Sequence, residues 1–139
     1  MSFSWAELRQ RVAARAGRRC EYCQMHQELQ GAEFHVEHIV PRKFGGSDEP
    51  NNLAWACPGC NLAKTSRTQL RDPQTGQEAP VFHPRHDRWA DHFAWQGYEL
   101  IGRTPIGRAL IAAFNLNHER RLRVRQVEER FGLFPPPES

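Results

Sequence analysis

Long apolar runs are missing from this 139-residue sequence: none could span a bilayer, and no secretory hydrophobic segment follows Met1. The expectation is a cytoplasmic protein without a membrane partner. Hydrophobic residues are scarce as well, at 39% with a mean hydropathy of -0.73. The core of so short a chain is therefore thin, and something besides apolar burial must help to hold it. Lysine is nearly absent, since seventeen of the nineteen basic residues are arginine. Arginine's planar fork suits phosphate, but a net charge of +3 is too small to identify a nucleic-acid partner alone. That excess lies wholly in residues 1–71, which carry ten basic against seven acidic residues; residues 72–139 carry nine of each.

Cysteine is sparse too, yet its spacing is informative. The four cysteines fall as Cys20-x2-Cys23 and Cys57-x2-Cys60, with 33 residues between the pairs. Without an export signal, two such pairs read as a tetrahedral metal site more readily than as disulfides. A site with four thiolate ligands is closed, hence structural, and zinc is the ion expected. A rival set would combine Cys20 and Cys23 with His35 and His38. In a two-cysteine, two-histidine finger, however, the histidines sit on a helix, whereas "HVEHIVP" (35–41) is β-branched and ends in proline. The rival also strands Cys57 and Cys60.

Ser4-Trp5-Ala6-Glu7 is a capping-box pattern, and Trp5, Leu8, Val12 and Ala16 follow at helical spacing, predicting a helix over about 4–17. Arg11, Arg15 and Arg18 cluster beside that stripe, either as a solvated face or as a strip facing phosphate. Residues 31–40 read as a strand, 42–52 as a polar loop, 53–56 as a second strand, and the run from Asn61 as a helix reaching Leu70. Residues 72–80 have the composition of a connector. Beyond it we expect a short helix near 86–93, a strand at 98–101, a helix begun by Thr104-Pro105, and a last helix from an Asn117 N-cap to Phe131. The tryptophans read as core, and His83, His86 and His92 as packing or surface residues.

With the cysteines assigned, His38, Glu37 and Asn61 become available for chemistry. A carboxylate suits a hard cation such as magnesium or manganese, an imidazole suits a general base, and the amide oxygen of Asn61 could complete a cation site. His35 shares a strand face with Glu37 and reads as a supporting residue.

The stretches "CEYC", "HVEHIVPRKFGG" and "NNLAWACPGCN", with Lys64, resemble the HNH endonucleases over roughly residues 18–67. The two cysteine knuckles bracket the histidine motif in that family's order, and eight residues separate Asn52 from Asn61 as in its pattern. "VFHPRHDRWADHFAWQG" through "GRTPIGRALIAAFNLN" further resembles the tail of small stand-alone bacterial HNH proteins. The resemblance implies an α+β protein: a ββα-metal core stapled by the four-cysteine zinc site, with an N-terminal helix and a small, mostly helical C-terminal lobe. The expected division is a nuclease core over 1–71 and an accessory lobe over 72–139 packed on it. It also implies that His38 is the general base, that Asn52 braces the loop and orients that histidine, and that Glu37 and Asn61 hold one Mg2+ or Mn2+. Glutamate stands where aspartate is more usual. The implied substrate is nucleic acid, with DNA expected, cut to 5′-phosphate and 3′-hydroxyl ends; Arg42, Lys43, Lys64, Arg67, Arg15 and Arg18 are the expected phosphate contacts. Gly45 and Gly46 would permit close backbone approach to phosphate. The alternative is a zinc-ribbon nucleic-acid-binding module without catalysis, which would need the cysteines but not Glu37, His38, Asn52 or Asn61.

Overall fold

The computed structural model describes residues 3–138. It is an α+β chain of helices and small antiparallel strand pairs that divides into two compact units after Ser66. No helix among the described residues is long and apolar enough to cross a membrane.

In the first unit, α1 (Trp5–Arg15) begins where Ser4 Oγ accepts the Glu7 amide, and it buries Leu8, Val12 and Ala13. Trp5, expected in the core, is 48% exposed: it lies in the first turn of α1, one turn before the first buried residue, Leu8. β1 (His35–His38) and β2 (Leu53–Ala56) pair antiparallel, with Glu37 opposite Ala54 and His38 opposite Leu53. β2 is buried throughout, as its apolar sequence requires, whereas β1 is buried only at Glu37. α2 (Pro58–Lys64) follows, with Cys57 as N-cap and Pro58 in the first turn, where a missing N–H costs nothing. The helix stops at Lys64, short of the expected Leu70. Thr65 takes φ +46°, a value a β-branched residue adopts only when the chain must turn.

In the second unit the expected connector forms a hairpin instead: β3 (Gln69–Arg71) pairs with β4 (Glu78–Pro80), so residues 69–71 go with this unit. The turn is held by Asp72, which is buried. Its Oδ1 accepts from the Gln74 amide and Arg108 Nε at 3.0 Å each, and its Oδ2 accepts from Thr75 Oγ1 and Arg108 Nη2 at 2.9 Å each. The Arg108 guanidinium holds the Asp72 carboxyl well below the usual carboxylate range. α3 (Trp89–His92) leads directly into a second hairpin, β5 (Phe93–Gln96) with β6 (Glu99–Gly102), of which sequence patterning indicated only one arm. α4 (Pro105–Phe114) is capped by Thr104, and α5 (Glu119–Arg130) by His118 in place of the expected Asn117. Asn117 instead braces β6, where its side-chain amide exchanges hydrogen bonds with the Leu100 backbone at 2.7 and 2.8 Å. The three histidines are built into the framework here. His92 Nδ1 lies 2.6 Å from Thr104 Oγ1, and His83 stacks on His86 with ring centroids 3.9 Å apart.

Candidate functional site

Two neighbouring constellations occupy the first unit. The first is the cysteine cluster. Cys20 and Cys23 sit on a knuckle whose chain reverses through Gln24 at φ +69° and closes with the Cys20 amide donating to the Met25 carbonyl. The second knuckle is the start of α2, where Cys57 Sγ accepts from the Cys60 amide at 3.4 Å. Glu21 joins the first knuckle to β2, exchanging backbone and side-chain hydrogen bonds with Trp55 at 2.8 Å each. All four thiols are buried, and their sulfurs lie within 4.8 Å of one another. A tetrahedral ion about 2.3 Å from each sulfur spaces the sulfurs about 3.8 Å apart. The Cys23 and Cys57 sulfurs are 3.8 Å apart, so the cluster fits zinc. Burial pushes the Cys20 thiol well above its ordinary range, and a cation would reverse that preference by favouring thiolate.

The second constellation lies at the end of β1. Glu37 is 5% exposed, and both of its oxygens are engaged: Oε1 accepts from Tyr22 Oη at 2.5 Å and Oε2 from Lys64 Nζ at 2.6 Å. Burial pushes the Glu37 carboxyl above its ordinary value, against the opposing pull of Lys64 and Tyr22. Lys64 is 1% exposed and uses all three of its protons, donating also to the His38 and Ile39 carbonyls at 3.1 and 3.0 Å. The expected phosphate contact at Lys64 is thus corrected: three internal acceptors hold its ammonium inside the unit. Arg15 is redirected similarly, its guanidinium donating to the carbonyls of Pro50 and Leu53 at 2.8 and 2.5 Å. Arg18, Lys43 and Arg67 are exposed, and Arg42 is 64% exposed at its side chain.

Asn52 is buried and clamps the loop between the strands. Its Oδ1 accepts from the Val40 amide at 2.9 Å, and its Nδ2 donates to the Val40 and Ser47 carbonyls at 3.1 and 2.8 Å. Gly46 fits under this clamp because a Cβ there would come 1.7 Å from the Val40 oxygen. Its close approach is therefore to the protein's own backbone. His38 reaches out of this frame with its side chain 18% exposed, and its Nε2 lies 2.7 Å from Asp48 Oδ1. Asp48 also takes Arg42 Nε and Nη2 on the same oxygen at 3.2 and 3.1 Å. Asn61 is half-buried on α2, three residues before Lys64 and so on the same helix face. His35 is exposed at the start of β1.

Sequence reasoning missed Asp48 and Tyr22. Asp48 lies in a loop, where no periodicity relates it to His38, and Tyr22 sits within the cysteine knuckle "CEYC" as an apparently ordinary apolar filler.

In kind, the Glu37 carboxylate and the Asn61 amide suit a hard cation. Each carboxylate oxygen has a further lone pair beyond the hydrogen bond it already accepts, so Glu37 retains ligand capacity, in competition with the Lys64 ammonium.

The first unit thus sets a zinc-fitting cysteine cluster beside a ββα arrangement that presents a histidine. The family model of the HNH endonucleases matches residues 20–67, so this stretch is similar to an HNH endonuclease domain, a family that acts on nucleic acid. No match was found among curated proteins or among solved structures.

Proposed function

We propose that this protein is a metal-dependent endonuclease that hydrolyses phosphodiester bonds of DNA, with His38 as the general base. The observation that carries the reading is the state of that imidazole within the matched stretch. One ring nitrogen is held by Asp48, while Nδ1 has no hydrogen-bond partner among the described residues. Such a ring can take a proton from a water at Nδ1 without losing its orientation. The water oxygen then bonds to phosphorus as the bond to the 3′ oxygen breaks and that oxygen takes a proton from solvent, leaving 5′-phosphate and 3′-hydroxyl ends. A divalent cation, Mg2+ or Mn2+, would be held by Glu37 and Asn61, and when bound it supplies neutralisation of charge at the phosphate. Asn52 braces the loop and so orients His38, and the exposed Arg42 and Lys43 of that loop serve as phosphate contacts. The zinc cluster has a structural role, placing α2, and with it Asn61, against β1.

Supercoiled plasmid incubated with the zinc-loaded protein tests this. Nicking in Mg2+ or Mn2+ that stops on mild chelation supports the reading, and retention on DNA without cleavage in any divalent ion would favour the binding-module alternative.

A further inference from the structure

The pairing of His38 with Asp48 goes beyond the residues that any motif assigns. We propose that Asp48 is the positioning residue of His38: its carboxylate accepts a hydrogen bond from Nε2–H, fixing the tautomer in which Nδ1 carries the lone pair. This rests on the nuclease reading of His38.

Three observations support it. The contact is short, at 2.7 Å, which suits a charge-assisted hydrogen bond to a carboxylate. A carboxylate can only accept, so Nε2 is the donor, and in the neutral ring that makes Nδ1 the bare nitrogen. Second, the carboxylate does not reach His38 by chance of a loose loop. Asn52 ties Val40, two residues after His38, to Ser47, the residue before Asp48, and the space at Gly46 admits nothing larger than hydrogen. The clamp therefore ties together the backbone next to both residues. Third, Arg42 donates to the same Asp48 oxygen through two nitrogens, which favours the rotamer that meets His38.

Stability gives no reason for the arrangement. The Asp48 side chain is 60% exposed and that of Arg42 64%, and exposed ion pairs contribute little to folding. What the carboxylate can do is hold the ring through the proton transfer and balance the charge that the ring then acquires, without itself receiving a proton.

The experiment compares the zinc-loaded parent with Asp48→Asn, Asp48→Leu and His38→Ala. It measures kcat and KM on plasmid DNA, zinc content and thermal midpoint, and the 15N shifts of the His38 ring. The expected parent spectrum is that of the Nε2–H tautomer. Asp48→Leu should lose that preference and at least about tenfold in kcat, within the range that a positioned base contributes, with KM, zinc and thermal midpoint unchanged. Asp48→Asn, which can still offer an acceptor oxygen, should keep the tautomer and fall between leucine and the parent in kcat. An Nδ1–H tautomer in the parent, or an Asp48→Leu ring spectrum and kcat equal to the parent's while His38→Ala is inactive, overturns this proposal alone. A parent that cuts nothing overturns the nuclease reading and this proposal with it.

Discussion

Lys64→Met is the most revealing single change, because it keeps the apolar stem and removes only the charge from a pair buried to within 1% and 5% exposure. In the parent, three acceptors converge on that ammonium: Glu37 Oε2 at 2.6 Å and the carbonyls of His38 and Ile39. Without it, Glu37 is left buried with Tyr22 as its remaining side-chain partner. Stranding one member of a buried ion pair costs about 3–5 kcal/mol. With a urea dependence of about 2 kcal/mol per molar, the unfolding midpoint of the variant should fall by roughly 2 M. The deficit should grow with pH. Burial already raises the Glu37 carboxyl above its ordinary value, and losing Lys64 raises it further. Across the window between the unfolded and folded values the native state then binds more protons than the unfolded one, so stability falls as pH rises. Glu37→Gln in the Lys64→Met background removes the stranded charge and should recover most of the loss. If Glu37 is a cation ligand, Mn2+ should stabilise Lys64→Met more than the parent, since the competing ammonium is gone. Urea titrations by circular dichroism at pH 5.5 and 8, with and without Mn2+, read all of these. A midpoint within about 0.3 M of the parent at both pH values would refute the reasoning, because it would mean that the pair is hydrated.

Two further outcomes concern the clip and the second unit. Cys57→Ser should lower zinc from about one ion per chain and destabilise the first unit, since structural zinc supplies on the order of 10 kcal/mol of binding energy coupled to folding; full zinc retention by inductively coupled plasma analysis would count against the four-thiolate site. Asp72→Asn should lower the stability of the second unit at neutral pH. The parent's carboxylate is held below its ordinary value by Arg108, so its contribution is present above the unfolded carboxyl's range and disappears as pH falls through the folded value. The variant should lack that acid dependence; melts at pH 3 to 7 that superimpose on the parent's after normalisation would contradict it.

How legible each part was in the sequence follows from the range of the interactions involved. The cysteine pairs announced their cluster because a two-residue gap is itself the geometry of a knuckle, and the β-branched run at 35–40 with its proline could not have been a helix. Ser4 and Thr104 marked helix starts because caps act over three residues. Lys64 could not be read in this way. A lysine in the last turn of a short helix is ordinarily solvated, and only the placement of α2 against β1 gives it three internal acceptors. Asp72 looked like a turn residue, and it is one, but its pairing with Arg108 spans 36 residues and no local pattern records it. Asp48 was invisible for the same reason: it meets His38 through a clamp made by Asn52, not through any period of the chain.

The central claim is that His38 drives phosphodiester hydrolysis, and the most direct measurement is the nicking rate of supercoiled plasmid by the parent and by His38→Ala, at matched zinc content and in the same Mg2+ or Mn2+ buffer. The account predicts metal-dependent nicking by the parent and a loss of about 100-fold or more in the variant, with folding and DNA retention intact. Cleavage by His38→Ala within about tenfold of the parent rate, or a zinc-loaded parent that binds DNA and never cuts it, would contradict it.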